Sequence, residues 1–312
     1  MTVIALSGGV GGAKLALGLS RVLSADELVV IANTGDDFEH LGLSISPDID
    51  TVMYTLSGLA NPEFGWGRHD ETWSFMETLA SVGGETWFRL GDRDLAVHVE
   101  RTRRLRAGET LSAVTQDFCR RLGVGPRVLP MSDDPVRTRV RTDDGWIDFQ
   151  DYFVHRHCEP EVHELAFHGA STARAQPEFL AALADPHLSA VVICPSNPFI
   201  SIEPILAVPG VRAALADCAA PVIAVSPIIG GRAVKGPTAK MMTELGMTPS
   251  AGAVAHRYGD LIDGYVVDFA DMDQIASIGP KVTLGQTMMT TLADREALAR
   301  TVLGAAGVLR RD

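Results

Sequence analysis

The chain has 312 residues, 46% of them hydrophobic and 21% charged, which is enough to bury a full core in one large domain or two modest ones. Its 27 lysines and arginines against 39 aspartates and glutamates leave a formal charge of -12, the wrong sign for holding a polyanion by counterion release. We therefore expect no nucleic-acid partner, whereas a small phosphate can still be held by helix N-termini and local arginines.

The N-terminal residues and the cysteines indicate the compartment. Residues 2–6 lack the basic segment, apolar core and cleavage site of a signal peptide, and no apolar run is long enough to span a bilayer. The four cysteines are widely spaced, with no C-x-x-C pair, in a chain too long to need disulfides. These patterns predict a cytoplasmic protein with reduced thiols and no membrane association.

Five apolar runs of strand length, mostly separated by helical patterns, indicate the fold class. They are residues 3–6, 28–32, 190–194, 222–225 and 265–267. Continuous rather than alternating apolar runs are typical of parallel strands that helices cover on both faces. We predict an α/β fold with a Rossmann-like, doubly wound, mostly parallel sheet.

Between residues 59 and 186 the pattern changes to segments rich in tryptophan, arginine and turn residues, with a predicted hairpin around Asp143-Asp144-Gly145. We predict that residues 59–186 are a large mixed α/β insertion forming a second lobe, a lid or substrate lobe. Residues 1–58 and 187–312 would then form the Rossmann-like nucleotide-binding core.

The first strand runs directly into a glycine-rich turn, Ser7-Gly8-Gly9-Val10-Gly11-Gly12-Ala13-Lys14. Glycines let a backbone approach a phosphate, and the following helix offers free N–H groups and partial positive charge. A P-loop is excluded because Ala13 precedes the lysine, and a dinucleotide fingerprint fails because Lys14 takes the third glycine position and Asn33 ends the second strand. The turn predicts a nucleotide site of another kind; a tight structural turn is the alternative.

Four aspartates follow the second strand, beyond the expected carboxyl end of the sheet, where ligands bind in open α/β folds. They are Asp36, Asp37, Asp48 and Asp50. Clustered carboxylates repel one another, and Mg²⁺ bridging substrate phosphates would relieve that repulsion. The alternative is that Asp48 and Asp50 are only first-turn charges of a helix over residues 51–56.

Further polar segments fit a cleft. Asp94, His98 and Arg101 recur at i, i+4 and i+7 and share one helix face, although an exposed ion-paired stripe has the same pattern. Loops around Ser196-Asn197 and Gly230-Gly231 follow predicted strands, and Lys235 precedes another helix. Such loops also occur without a ligand.

Five residues between 155 and 168 invite a zinc interpretation: His155, His157, Cys158, His163 and His168. Their spacing matches no compact structural zinc pattern, and neither paired cysteines nor H-E-x-x-H is present. We predict a loop after a strand, without zinc.

Taken together, these segments and three others form an ordered set along the chain. The set is Ser7 through Lys14 as written above, Asn33-Thr34-Gly35-Asp36-Asp37, Pro47-Asp48-Ile49-Asp50-Thr51, Leu90-Gly91-Asp92-Arg93-Asp94, Leu129-Pro130-Met131-Ser132-Asp133-Asp134, Phe149-Gln150-Asp151-Tyr152-Phe153, Pro195-Ser196-Asn197-Pro198 and Ser226-Pro227-Ile228-Ile229-Gly230. With this set the sequence resembles the 2-phospho-L-lactate transferase family (CofD, or FbiA in actinobacteria), which makes the deazaflavin coenzyme F-420.

The resemblance implies an Mg²⁺-dependent transferase. Such an enzyme joins a phosphorylated three-carbon acid, carried as a guanosine diphosphate derivative, to the ribityl hydroxyl of the deazaflavin Fo and releases GMP. The acid is phospholactate, phosphoenolpyruvate or phosphoglycerate, and the sequence leaves the three open. A homodimer is also implied.

The resemblance also implies roles for individual residues. Asp50 and Arg89 would contact Fo, and Asp50, Asp48 and Arg93 would be catalytic. The implied metal ligands are Asp36, Asp37 and Asp48. The implied nucleotide-binding residues are Gly8, Gly9, Gly11, Gly12, Lys14, Ser196, Asn197, Gly230 and Gly231.

Two other functions stay open at this point. One is a non-catalytic nucleotide-sugar-binding protein resembling the gluconeogenesis-factor relatives, which share the glycine turn and the acidic segment. The other is a nicotinamide-dependent dehydrogenase, which Asn33 and the broken fingerprint disfavour.

Overall fold

The computed structural model describes residues 1–279 and 281–308 and is built around a sheet of seven parallel strands. The strands are β1 (Thr2–Ser7), β2 (Leu28–Ala32), β3 (Phe38–His40), β4 (Leu43–Ile45), β5 (Arg127–Pro130), β6 (Arg137–Thr142), β7 (Gly145–Asp148), β8 (Glu164–His168), β9 (Leu188–Ile193), β10 (Val222–Val225), β11 (Ile228–Ile229), β12 (Arg232–Ala233), β13 (Gly264–Asp268) and β14 (Lys281–Gly285). The helices are α1 (Val10–Val22), α2 (Pro47–Ser57), α3 (Ser74–Ser81), α4 (Asp92–Arg106), α5 (Leu111–Arg121), α6 (Pro177–Leu183), α7 (Glu203–Ala207), α8 (Val211–Asp217), α9 (Thr238–Glu244), α10 (Ala251–Tyr258) and α11 (Leu292–Val308).

The large sheet has the order β14-β13-β10-β9-β1-β2-β5, and every neighbouring pair runs parallel. Successive residues of β1 face opposite sides of it. Val3 and Ala5 pack in a buried cluster with α1, α2, α5 and α11, whereas Ile4 and Leu6 pack in a second cluster with α6 to α10. Helices therefore cover both faces, which confirms the predicted doubly wound α/β fold.

The strand order reverses between β1 and β9, and this switch point opens a crevice at the carboxyl ends of the strands. Ser7 lies opposite Ala32 in the register, and Leu6 lies opposite Ile193. Two backbone hydrogen bonds continue these pairings, from Asn33 N–H to the Ser7 carbonyl (2.9 Å) and from Cys194 N–H to the Leu6 carbonyl (3.0 Å). The chain segments that follow β1, β2 and β9 thus leave the sheet side by side.

The segment predicted as an insertion, residues 59–186, is not separate from the core throughout. Its β5 pairs with β2 as an edge strand of the large sheet, which corrects the predicted boundary at residues 127–130. The same segment carries α3 to α6 and a three-stranded antiparallel sheet, β7-β6-β8. The β6–β7 pair, with Thr142 opposite Gly145, confirms the predicted hairpin. A division into core and second lobe stays a prediction.

All four cysteines are free thiols, and three of them are buried. Burial raises the pKa of the Cys194 thiol to about 12, so this thiol stays protonated at neutral pH. No single helix among the described residues is long and apolar enough to cross a membrane; the segments Pro198–Ala207 and Val211–Asp217, bent by 87°, pass such a test only as a pair.

Candidate active site

The glycine turn packs against the loop that follows β9. Gly9 precedes α1, and no side chain caps that helix end, so its first N–H groups are left without a side-chain partner. Gly8 N–H donates to Ser196 Oγ at 3.1 Å. A β-carbon at Gly11 would collide with the Pro195 carbonyl oxygen, and one at Gly12 would lie 2.5 Å from Ser196 Oγ. The turn therefore needs glycine partly because it packs closely against the loop after β9. This packing brings together two segments that were predicted to bind the nucleotide, the glycine turn and the loop at Ser196.

Other predicted nucleotide-binding residues have protein partners of their own. Lys14 Nζ donates to the Met289 carbonyl at 3.1 Å. Burial and the positive charges of Arg295 and Lys235 lower the pKa of Lys14, which is the electrostatic condition for attracting an anion. Lys14 thus lies beside the turn as part of a group of three cations.

The loops at Asn197 and Gly230 are structurally engaged. The Asn197 side chain accepts a hydrogen bond from Phe199 N–H at 2.9 Å and thereby starts the π-helical turn Pro198–Ile202. Gly230 N–H donates to the buried carboxylate of Asp271 at 2.9 Å, and Gly231 completes the turn between β11 and β12. Asn197 Oδ1 and Gly230 N–H are therefore both engaged within the protein, and the nucleotide contacts of the two loops stay predictions.

Asp48 and Asp36 form a buried acidic pair next to the glycine turn. Asp48 lies in the first turn of α2, and it accepts hydrogen bonds from Asn33 Nδ2 at 2.9 Å and from Gly9 N–H. Burial raises the pKa of Asp48 to about 6, against these hydrogen bonds. Burial and the charge of Asp48 also raise the pKa of Asp36, whose buried Oδ1 has no hydrogen-bond partner among the residues that the structure describes. Oxygen ligands, excess negative charge and an unsatisfied oxygen together suit a divalent cation.

Asp37, the third predicted metal ligand, turns to other partners. Its Oδ2 accepts from Ser46 Oγ at 2.8 Å, and burial raises its pKa to about 7 although Arg137 opposes the shift. Asp37 and Arg137 line a cavity of about 230 Å³. Within the described residues, the oxygens of Asp36, Asp37 and Asp48 do not come within 4.8 Å of one another as a set of three. Asp36 and Asp48 are the two of these that fit a shared ion.

The cavity beside Asp37 includes the segment Ser132-Asp133-Asp134. The Asp133 carboxylate accepts hydrogen bonds from the backbone N–H and hydroxyl of Ser112 at 2.7 and 2.8 Å, so it caps the start of α5. Ser132 Oγ donates to the Arg174 carbonyl at 2.7 Å. These two side chains are occupied in holding the fold.

Asp50 is buried, 5% exposed, in an ion pair with Arg101 of α4. Arg101 Nη1 donates to Asp50 Oδ2 at 3.0 Å, and Nη2 donates to Oδ1. His98 Nδ1 lies 3.7 Å from Asp50 Oδ2. Both carboxylate oxygens are therefore held, so the structure fixes the orientation of Asp50 and offsets its charge.

The face of α4 carrying Asp94, His98 and Arg101 points inward, so the alternative of an exposed ion-paired stripe is wrong. His98 Nε2 lies 3.2 Å from Asp94 Oδ2, and the Tyr54 hydroxyl donates to Asp94 Oδ1 at 2.6 Å. Although burial opposes it, His98 and Tyr54 hold the pKa of Asp94 below its ordinary value. Asp50, Asp94 and His98 are the one three-residue group in the described chain with ligand-type atoms within 4.8 Å, but the Arg101 cation already neutralises Asp50.

Arg89 and Arg93 are both exposed near the start of α4. The Arg89 guanidinium stacks on the Trp73 ring at 4.1 Å, and Arg93 donates its backbone N–H to Glu71 at 2.8 Å. Arg89, Trp73 and Asp94 line one narrow groove. Asp94 thus lies in the groove of Arg89 and contacts His98, which in turn lies near Asp50. Arg93 is exposed, and its catalytic role stays a prediction.

Two of the four histidines in the 155–168 segment pair with aspartates. His155 Nδ1 lies 2.9 Å from Asp151 Oδ1, and His163 Nε2 lies 2.7 Å from Asp143 Oδ1. The segment ends in β8, where the sequence analysis predicted only a loop.

Sequence reasoning assigned no role to Asn33, Tyr54, Phe64 or Trp66. Asn33 was noticed only as the residue after β2, where an amide can bind both a carboxylate and a carbonyl. Tyr54 follows Asp50 by four residues in α2, which places both on one helix face. Phe64 and Trp66 flank a glycine in a turn, an unusual place for large aromatic side chains and a signal that was available.

Comparison with known proteins places this geometry in a family. The family model "2-phospho-L-lactate transferase CofD" matches residues 3–300. The chain is similar to the phosphoenolpyruvate transferase of Kitasatospora aureofaciens, with 44% identity over 320 residues and 99% of both chains covered. It is also similar to that of Mycolicibacterium smegmatis, with 40% identity over 329 residues and 99% of both chains covered.

A solved structure shares the fold. It is a member of the UPF0052 family from Bacillus halodurans, 14% identical, with a TM-score of 0.62 and coverage of 97% of this chain and 98% of that one. The match to the family model and the identities of the relatives over their whole length decide the family. The chain belongs to the 2-phospho-L-lactate transferase CofD family.

Proposed function

We propose that this protein transfers a phosphorylated three-carbon acid from its guanosine diphosphate derivative to the ribityl hydroxyl of the deazaflavin Fo, with release of GMP. Membership of the CofD family supports the transferase class. Among the three acids, the names of the relatives favour phosphoenolpyruvate over phospholactate and phosphoglycerate.

The observation that carries the proposal is the buried Asp36–Asp48 pair beside the uncapped N-terminus of α1. Gly8 and Gly9 donate their N–H groups to Ser196 and Asp48, but the first N–H groups of α1 would be available to phosphate oxygens at the switch point of the sheet. Within the described part of the chain, no cation is among the groups that shift the pKa values of this pair, and Asp36 Oδ1 has no hydrogen-bond partner. Transfer of a substituted phosphate group depends on positioning and charge neutralisation. N–H groups that bind phosphate oxygens, beside carboxylates that can hold a metal ion, provide both.

Asp36 and Asp48 would hold Mg²⁺ together with donor phosphate oxygens, and the bound ion would neutralise charge on the transferring phosphoryl group. In the reaction, an oxygen–phosphorus bond forms from the ribityl alcohol, the bond from phosphorus to the GMP oxygen breaks, and the alcohol proton passes to the departing GMP phosphate or to solvent. A loose phosphoryl transition state needs little prior deprotonation, so positioning dominates. Asp50, fixed by Arg101, suits that positioning role.

Nucleotide preference tests the proposal against its alternatives. Calorimetric titration should show binding of GDP or GMP, weaker binding of adenine nucleotides, and none of NAD. Equal or tighter binding of NAD would remove the guanine-donor assignment. Mass spectrometry of the product formed from each of the three donors identifies the acid, and we expect the enolpyruvyl product.

The proposed partners are Fo and the guanosine diphosphate-linked acid, without nucleic acid or membrane. Following the family resemblance, we also propose a homodimer. Light scattering against the 33.3 kDa mass of one chain measures this directly.

A further inference from the structure

Two aromatic side chains are exposed on the loop between α2 and α3. Phe64 is 46% exposed and Trp66 is 45% exposed, and their rings stack with centroids 5.6 Å apart. Large aromatic rings left together in water are typical of a surface that receives a ligand. We call residues 60–68 the aromatic loop.

The aromatic loop is held against the glycine turn. Its base is closed by a bridge between Ala60 and Arg68. Its tip is held by Lys235 Nζ, which donates to the Phe64 carbonyl, and a β-carbon at Gly65 would lie 2.8 Å from Val10, the first residue of α1. The exposed rings therefore sit beside the predicted phosphate-binding turn.

The facing wall is the Trp73 ring with the Arg89 guanidinium stacked on it at 4.1 Å. Phe64 and Trp66 line a groove with this pair, and Asp94 also lines it. Arg68, another lining residue, has a buried Nε with no hydrogen-bond partner among the described residues. Flat rings, cations and an unsatisfied donor suit a planar heterocycle carrying carbonyl oxygens.

The groove encloses only about 10 Å³, so a ring system enters only if the aromatic loop moves outward. The contacts of its tip named above are one hydrogen bond from Lys235 and packing on Val10. A short loop held at its tip by few contacts opens at low cost compared with an element of the core.

We propose that the aromatic loop and the Trp73–Arg89 pair form a clamp that stacks the planar ring of the acceptor. The inference rests on the proposed function, since Fo supplies that ring. The ring would lie between Trp66 and Trp73, and the ribityl chain would extend past Asp94 toward the aspartates. Arg89 acts here as part of the stacking wall, and Trp66 determines acceptor specificity.

Equilibrium dialysis with Fo, read from the absorbance of Fo itself, tests the clamp without relying on tryptophan emission. Trp66→Ala should weaken Fo binding about tenfold, in the range for a lost base–aromatic stack, while calorimetric GDP affinity stays unchanged. Trp66→Phe should restore most of the Fo affinity. The control is Trp146→Ala, because Trp146 is 40% exposed on β7 and does not line the groove.

A second probe is the deazaflavin ring without its ribityl chain. Trp66→Ala should weaken binding of this bare ring by the same factor as it weakens binding of Fo. The clamp would be overturned, while the proposed function stands, if Trp66→Ala bound Fo as tightly as wild type. It would also be overturned if the variant bound Fo more weakly but bound the bare ring as tightly as wild type. If wild type neither binds Fo nor releases GMP in its presence, the proposed function fails first and the clamp with it.

Discussion

The Asp50 carboxylate has both oxygens held by Arg101, and this decides what it can do. A carboxylate that accepts two hydrogen bonds from one guanidinium is held in a fixed orientation. Its contribution to catalysis should therefore come from orienting the alcohol and from anchoring the network with His98 and Asp94.

Asp50→Asn keeps the shape of the side chain and removes its charge. We expect turnover to fall by roughly 10² to 10⁴, the range for a lost acid–base or positioning group, with guanine-nucleotide binding retained. The control on the same helix as Arg101 is Glu100→Gln, which breaks only an exposed pair with Arg103 and should leave turnover unchanged. If Asp50→Asn turned over within about threefold of the wild-type rate, Asp50 would be only a favourable charge in the first turn of α2 and not a catalytic residue.

Gly11 tests whether the glycine turn needs its close approach to the Pro195 carbonyl. The methyl group of Gly11→Ala would collide with that oxygen, so we expect a loss of about 1–3 kcal/mol in unfolding free energy and weaker GDP binding. Gly304→Ala is the matched control, because nothing lies within 4 Å of its added methyl group in α11. Chemical denaturation and calorimetry measure both quantities. If Gly11→Ala bound GDP as tightly as wild type, the glycine turn would not be part of the nucleotide site.

At the scale of elements, the buried ion pair between Arg101 and Asp50 joins α4 to α2. Arg101→Met leaves the Asp50 carboxylate buried without its partner, and we expect it to lower the unfolding free energy by about 3–5 kcal/mol. Arg103→Met, two residues along the same helix, breaks only an exposed pair and should leave the urea midpoint unchanged. Similar midpoints for the two variants would mean that the buried pair does not hold α4 in place.

The sequence predicted the strands at the centre of the sheet and missed those at its edges, for a physical reason. Central strands such as β1 and β10 are buried on both faces and show continuous apolar runs. The edge strands β5 and β14 each begin with an exposed charged residue, and β5 ends in a proline, so neither carries such a run. Because β5 carries no such run, the sequence analysis placed residues 127–130 in the insertion rather than in the large sheet.

At the scale of the molecule, the site is assembled from segments distant in sequence. Ser196 meets Gly8 across 188 positions because β1 and β9 are neighbours in the sheet. The rule that ligands bind at carboxyl ends of parallel strands predicted the edge at which these segments gather. It could not predict which aspartates face each other, since Asp37 and Asp50 turn to Ser46 and Arg101 through side-chain packing.

Metal removal tests the Asp36–Asp48 pair. We expect EDTA to abolish turnover and Mg²⁺ to restore it, because oxygen ligands with excess negative charge prefer a hard cation. Mg²⁺ with GDP should also raise the melting temperature of wild type, and Asp48→Asn should lose the part of that rise due to the metal. A stoichiometric zinc signal in elemental analysis would contradict the assignment and would favour a zinc site at the histidines near His155.

GMP release measured with and without Fo tests the central claim most directly. With the guanosine diphosphate derivative of phosphoenolpyruvate and Mg²⁺, the account predicts one GMP released for each Fo consumed, with none released when Fo is omitted. Release of GMP at the same rate without Fo, or no release from any of the three donors by a protein that binds GDP, would contradict it.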